Sequence, residues 1–562
     1  MDKLRLYVWI ALAAVLFIGY TLWQQDYPPP IAPPVAAAPA ASQSDNTLPT
    51  LPGSTNTATP PAVSQPTPSV VEPTSTVPTI NPSAATIDVR TDVLDLSVST
   101  QGGELDRADM LKYPLGKDQP GKFVRLLDSR AEDFFVLRSG LRAADEHTAP
   151  THQALYDTAA SSFKLASGQD TLSVPLTWTD GSVKVTKTYT FKRGSYAIAL
   201  DYKIENASAI EWKAASYVQI ARRQPIIKTS RFNTASYAFL GPAIFDGKSI
   251  NKLKLNKEDN QNFHGTFEGG WLAAMQHHFV VASVPKPGLD YDYHLKIESP
   301  QQFNVTYRGP LVAVPAGGSG EAHETLFIGP TIQTQLEKIG SKLDLTVDYG
   351  KLTIIAGPLF WILAKVHSVV GNWGWSIILV TILIKAVFYK LTETSGKSMA
   401  KMREVAPRMK ALQERYKDNR EELGRATMEF YKREKINPLA GCLPTLIQMP
   451  VFMAFYWAIL NSAEMQQAPF IGYITDLSSR DPYFILPLIL GAVNLVQFKL
   501  NPAPADPMQA KMMMLMPVVM TGMMVMFPTG LVLYWITNTG LSILQQWYIN
   551  RVVAAAAAAK KN

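Results

Sequence analysis

The stretch that decides how this chain is built is WGWSIILVTILIKAVFY, residues 373–389, in which a single charge, Lys385, interrupts an otherwise apolar run. At 1.5 Å per residue it makes a helix of roughly 25 Å, slightly shorter than the ~30 Å hydrocarbon core of an average bilayer. Four more apolar runs follow at residues 443–460, 483–498, 512–527 and 531–548, giving a core of five candidate spans. A sixth, at residues 4–23, opens the chain with only Arg5 charged. The rival for that first run is a cleavable signal peptide ending in the small residues 36–41, but such a peptide has an apolar region of only ~7–15 residues. The expectation is an uncleaved anchor at residues 1–27.

Between the anchor and the core the composition changes twice. Residues 28–82 hold fifteen prolines and almost no large apolar side chains, so this stretch cannot bury enough surface to offset its ordering entropy. It reads as a tether over residues 28–84. Residues 86–98, 134–138, 183–191 and 197–204 then alternate apolar with polar residues, rich in Val, Tyr and Thr and separated by Gly, Asn and Asp turns, the pattern of antiparallel strands with one wet face. A β-sandwich is expected over residues 85–345, closed by a short helix at 331–343. Residues 346–371, with Pro358, Lys365 and His367 among apolar positions, read as an amphipathic helix lying in the membrane interface.

The net charge of +7 invites a nucleic-acid reading, but the excess basic residues sit beside the spans, where they set topology. Thirteen Lys and Arg fall between Lys390 and Lys435, whereas residues 462–482 carry Glu464, Asp476 and Asp481 against Arg480. The first loop is therefore expected in the cytosol, both termini with it, and residues 28–345 on the far side of the membrane. Within that cytosolic loop Met399, Met402, Val405, Met409 and Leu412 recur every three or four residues among basic side chains, and Asn419 with Glu422 forms a capping box. A helical hairpin is expected over 392–436; a solvated basic loop is the bland alternative. The five-span core extends over 372–550, leaving a short tail at 551–562.

Chemistry-bearing motifs are missing. The single cysteine, Cys442, excludes an intrachain disulfide and a cysteine zinc cluster. Gly396-Lys397-Ser398 resembles the end of a phosphate loop, yet the first glycine of that motif would fall on Leu391. None of the eight histidines has zinc-protease spacing, and His277 and His278 are expected on a strand. No enzyme, cofactor or metal is expected.

What stands out instead is polarity inside the spans. Thr381, Lys385, Gln448, Asn494, Thr521, Thr537, Asn538, Gln545 and Gln546 lie in apolar runs, where polar groups are costly unless they face a partner or a wet cavity. Lys385 has two readings: it snorkels to the headgroups, or it lines a cavity whose positive charge attracts acidic segments. The methionine-rich run at 512–527 likewise reads either as a compliant surface for varied apolar partners or as lipid-facing filler.

At this point residues 437–444 (NPLAGCLP), 446–452 (LIQMPVF), 506–509 (DPMQ) and 527–535 (FPTGLVLYW) resemble the signature stretches of the YidC family of membrane protein insertases, and the layout resembles its Gram-negative branch over nearly the whole chain. The resemblance implies a polytopic α-helical inner-membrane protein of six spans, five of them the core, with a large periplasmic β-supersandwich. It implies an insertase and chaperone that inserts newly made inner-membrane proteins, alone or with the Sec translocon, through a cytosol-open hydrophilic groove. The positions that match the groove are Lys385, Thr381, Gln448, Phe452, Tyr534 and Trp535, with Met449, Met520 and Met524 as an apolar slide for the substrate. Nascent inner-membrane proteins, the Sec translocon and lipid are the implied partners, with the ribosome and signal-recognition machinery at the cytosolic hairpin and no nucleic-acid substrate.

Two positions depart from the family pattern. Its groove charge is usually arginine, and a compact lysine ammonium does not carry over the bidentate recognition of a carboxylate. Trp535 stands for the second tyrosine of a Tyr-Tyr pair, exchanging a hydroxyl for an indole donor. The ribosome-binding role of longer basic tails in the family does not carry over to the short, largely alanine tail here. Two other classes stay in view: a transporter or channel using the intramembrane polar residues, and an anchored binding module whose working part is the β-domain.

Overall fold

The computed structural model describes residues 84–559 apart from 116–120, 145–147, 227–237, 262, 417–418, 435–442 and 501–506. Its first half is β. The strands are β1 (Thr86–Arg90), β2 (Leu94–Ser99), β3 (Leu105–Pro114), β4 (Phe123–Asp128), β5 (Phe135–Ala143), β6 (Ser162–Lys164), β7 (Thr171–Asp180), β8 (Val183–Lys192) and β9 (Ala197–Asn206). They continue with β10 (Trp212–Arg223), β11 (Gly241–Phe245), β12 (Ile250–Lys252), β13 (His264–Glu268), β14 (Trp271–Gln276), β15 (Phe279–Pro285), β16 (Asp290–Ser299), β17 (Gln302–Val314) and β18 (Ser319–Pro330). Ten strands form one sheet in the order β13-β16-β17-β10-β5-β4-β3-β2-β1-β6, and eight form the other in the order β12-β11-β14-β15-β18-β9-β8-β7. All pair antiparallel except β1 with β6.

The alternation in sequence becomes alternation in burial. Along β8 the pattern is buried at Val183, Val185, Lys187, Tyr189 and Phe191 and open between them, as a strand with one face on a core requires. Inner faces of both sheets join one apolar cluster that includes Leu96, Leu137 and Ile220 from one sheet and Leu176, Tyr202 and Leu326 from the other. The one lysine on the buried face of β8 is satisfied: the Lys187 ammonium donates to the carbonyls of Gly102 (2.7 Å), Ser139 (3.1 Å) and Gly103 (3.2 Å). Burial pushes it down to about 7. Gly103 is what lets it reach, since a Cβ there would lie 3.0 Å from its Nζ. A second polar tie crosses the sandwich where Ser216 and Tyr307 both donate to Glu324 (2.8 and 2.5 Å), whose carboxyl burial pushes up to about 7.

The second half is helical: α1 (Gln333–Ile339), α2 (Thr353–Val370), α3 (Trp373–Val387), α4 (Tyr389–Arg415), α5 (Arg420–Arg433), α6 (Leu443–Asn461), α7 (Ile485–Leu500), α8 (Pro507–Met524) and α9 (Thr529–Ala559). Among the described residues α2 is by itself long and apolar enough to cross a membrane. Trp373–Val387 with Tyr389–Met402 qualifies only as a broken span bent by 69°, and Ile485–Leu500 and Leu515–Met524 are shorter apolar helices. Helix α2 buries Ala356, Phe360 and Leu363, and its Phe360 and His367 stack on Trp373.

By contact, Thr74–Gln413 with Tyr431–Asn562 forms one compact unit, and Glu414–Phe430 belongs to a second. In the second, Asn419 accepts the backbone N–H of Glu422 at 3.2 Å, the cap expected from the sequence. In the first, Val405 and Met409 of α4 are buried while Lys401, Arg408 and Lys410 are exposed.

The structure refines several expectations. Residues 86–98 are two strands joined by a turn in which Thr91 accepts the N–H of Val93 and Leu94. His277 and His278 are not on a strand: they form the turn between β14 and β15, with His278 at φ 66°. The closing helix is shorter than expected, Gln333–Ile339, followed by a 3-10 turn at Leu343–Thr346. The expected anchor at 1–27 and the tether up to residue 83 lie outside the described residues, as do 437–442 and Asp506 of the quoted stretches.

Candidate functional site

Helix α3 is fixed at its start before its cation can matter. Asn372 caps it, accepting the N–H of Trp375 at 3.1 Å, and donates through its amide to the carbonyl of Phe470 at 3.0 Å. Gly374 sits under the Phe470 ring so closely that a Cβ would lie 2.0 Å from it, the close approach a small residue allows between packed membrane elements. At the other end the chain bends at Phe388. The bend sets α4 against α9, where Gln545 donates to the Thr392 hydroxyl at 2.8 Å and a Cβ on Gly396 would meet Ile549 at 2.6 Å.

Between α3, α4, α6, α7 and α9 lies a cavity of about 310 Å³ whose lining includes Lys385, Ser395, Gln448, Gln497, Asn538 and Ser542. Its polar groups are connected. The Lys385 ammonium donates to Ser542 Oγ at 2.7 Å, Ser542 donates to the Asn538 carbonyl at 2.9 Å, and the Gln448 amide donates to the Asn538 side chain. An ammonium has three donors, and Ser542 takes one; among the described residues no carboxylate pairs with Lys385. The site is thus a cation held by a neutral hydroxyl.

One wall of the cavity is aromatic. Phe452 meets Trp535 edge-on at 4.5 Å and Tyr534 at 6.2 Å, and Tyr534 stacks on Phe455 at 4.7 Å. Met449, 55% exposed, also lines it. A cavity with one cation, several amides and hydroxyls, and an apolar wall can hold a chain segment that is polar in one part and apolar in another.

Of the residues singled out from sequence, Lys385, Gln448, Phe452, Tyr534, Trp535 and Met449 come together here. Thr381 does not line the cavity: it is 1% exposed and spends its hydroxyl on the Ile377 carbonyl one turn back, at 2.7 Å. Met524 is buried with Leu490 and Val532 in a separate cluster against which Met520 packs. Sequence reasoning missed Ser395, Gln497 and Ser542, of which Ser542 holds the cation. Its signal was present in the polar series Asn538, Ser542 and Gln545 or Gln546, which recurs at helical spacing on α9.

Comparison with known proteins places both halves. The family model described as 60Kd inner membrane protein matches residues 365–556, and that described as YidC periplasmic domain matches residues 86–362. A membrane protein insertase YidC of Nitrosococcus oceani is 43% identical over 558 residues, covering 98% of this chain and 99% of that protein. Its counterpart from Thioalkalivibrio sulfidiphilus is 44% identical over 568 residues, covering 99% of each. Among solved structures, an active YidC insertase crystal structure with the first transmembrane domain resolved matches at 17% identity with a TM-score of 0.38, over 82% of this chain and 92% of that one.

Proposed function

The chain belongs to the YidC family of membrane protein insertases, a bacterial inner-membrane family with a periplasmic domain and no enzymatic activity, and we propose that it inserts its substrates through the cavity around Lys385. The observation that carries this reading is the Lys385 to Ser542 bond: a cation inside an apolar helix, bonded to a neutral hydroxyl beside Gln448 and Asn538, with Phe452 and Trp535 opposite. A polar or acidic segment of a newly made protein enters this hydrated pocket, while its apolar segment passes along Met449 and the methionine-rich α8 into lipid. Short spans thin the bilayer and reduce the distance the polar segment crosses.

In this reading the chain crosses the membrane six times with both termini cytosolic, α2 lies along the interface, and the cavity is a groove open to the cytosol. The helical hairpin receives the ribosome or signal-recognition machinery, and larger substrates are handed over beside the Sec translocon. Thr381, buried and bonded to the Ile377 carbonyl, supports the helix rather than touching substrate.

The test is photocrosslinking to a stalled nascent membrane protein from probes placed at positions 385, 448 and 535. Adducts from these positions are expected; their absence from all three overturns the assignment of the cavity. Deleting residues 85–330 should leave insertion largely intact, whereas loss of insertion with a stably folded core would move the function to the β-domain.

A further inference from the structure

On the outer face of the ten-stranded sheet three potential metal ligands converge. His264 on the edge strand β13 stands directly opposite His294 on β16, and Asp292 lies two residues before His294, hence on the same face. Their neighbours Tyr291, Tyr293 and Leu295 are buried in the core, so the register forces the three polar side chains outward together. The His264 Nε2 is 3.6 Å from Asp292 Oδ1, the His294 Nε2 is 3.9 Å from Asp292 Oδ2, and one ligand atom from each of the three residues falls within 4.8 Å of the others.

We propose that His264, Asp292 and His294 form a binding site for a divalent transition metal, zinc above all, on the periplasmic domain. Two imidazoles and one carboxylate select zinc and its neighbours over calcium or magnesium, which take oxygen sets. Tetrahedral zinc with bonds of about 2.0–2.1 Å holds its ligand atoms roughly 3.3 Å apart, so closure needs small side-chain rotations on β13, an edge strand among the described residues. The carboxylate is already oriented from both sides: Thr266 donates to its Oδ1 at 2.7 Å and Arg308 to its Oδ2 at 2.8 Å. Such outer partners are what fix a ligating carboxylate. The ordinary alternative, an exposed cross-strand histidine pair beside an Asp292–Arg308 ion pair, predicts no saturable uptake of metal. Three protein ligands leave the fourth position to water or to a donor from another molecule, and the Arg308 charge holds the affinity below that of a closed four-ligand site.

The experiment is calorimetric titration of the full chain in detergent, stripped with EDTA, with zinc chloride. One saturable equivalent is expected, lost in His264→Ala, in Asp292→Asn and in His294→Ala. Unchanged melting of each variant without zinc separates loss of the site from loss of the fold, and Thr266→Val should weaken uptake about tenfold. Absence of a saturable equivalent in the native chain, or its survival in a folded His264→Ala, His294→Ala double variant, overturns the proposal.

Discussion

The Lys385 ammonium donates to the Ser542 hydroxyl at 2.7 Å, joining α3 to α9 across 157 positions of sequence. A carboxylate partner would have neutralised the cation; a hydroxyl orients it and leaves its charge in the cavity. That distinction separates a structural ion pair from a receptor for acidic segments.

If the charge acts on substrate, its effect must depend on substrate charge. Opposite charges about 4 Å apart interact by roughly 1–4 kcal/mol between fully hydrated and partly shielded surroundings. Lys385→Met is therefore expected to slow insertion of substrates with acidic exported segments about fivefold or more, with little effect on neutral ones, and Lys385→Glu to deepen the difference. Ser542→Ala should give a smaller loss, because it releases the ammonium without removing it. Protease protection of matched acidic and neutral substrates in proteoliposomes measures the contrast; equal slowing of both would remove the electrostatic role.

The inter-sheet carboxyl predicts a pH dependence in the β-domain. Glu324 is raised from 4.5 to about 7 by burial, so between those values the folded protein binds a proton that the unfolded chain has lost. Stability from this group is complete below pH 4.5 and falls as the pH rises toward 7, by at most about 3 kcal/mol. Glu324→Gln keeps an acceptor for Tyr307 or Ser216 and should flatten that decline, leaving the variant more stable at pH 7.5 than at pH 5 relative to the native chain. Thermal melting of the full chain in detergent across this range checks the sign.

How legible this was depends on whether the governing contacts are local. The strands at 183–191 and 197–204 were readable because a period of two and β-branched residues report burial directly, and the cap at Asn419 because its partner is three residues away. The turn at His277 and His278 was not, since two histidines carry no turn signal and only the hairpin pairing of β14 with β15 places them. Lys385 was conspicuous as a lone charge, whereas its partner Ser542 is an ordinary small residue. The charges of the loop at 462–482 report topology in the sequence and nothing of their contacts. In the fold Asp481 also caps the start of α7, accepting the Leu486 N–H at 2.7 Å, and Glu464 reaches a helix 131 positions earlier.

The glycine under Phe470 yields a packing prediction. A Cβ at Gly374 would lie 2.0 Å from a ring that also meets Trp375 edge-on at 5.5 Å, so the ring must leave its place. Gly374→Ala should cost about 1–3 kcal/mol, the usual range for overpacking. Gly357→Ala, with nothing within 4 Å of its Cβ on α2, should cost little and serves as the matched control. The midpoint of SDS-induced unfolding of the two variants reads the difference, and equal midpoints would show that Phe470 yields freely.

The β-domain and the helical core are tied at the start of α1. Helix α1 begins after Ile332, which offers no side-chain cap, and the part-buried N–H of Gln333 is taken instead by Glu464 Oε1 at 3.0 Å. Ser462 donates to the other carboxyl oxygen at 2.8 Å, fixing the cap in place. Glu464→Ala would leave a buried donor without its acceptor, at about 1–3 kcal/mol, enough to speed exchange of the Gln333 amide roughly tenfold or more. Glu464→Gln retains the acceptor and should stay near the native rate. Hydrogen exchange followed by mass spectrometry on the peptide spanning 331–340 separates the two, and native protection in Glu464→Ala would mean that this helix start is held by the sandwich alone.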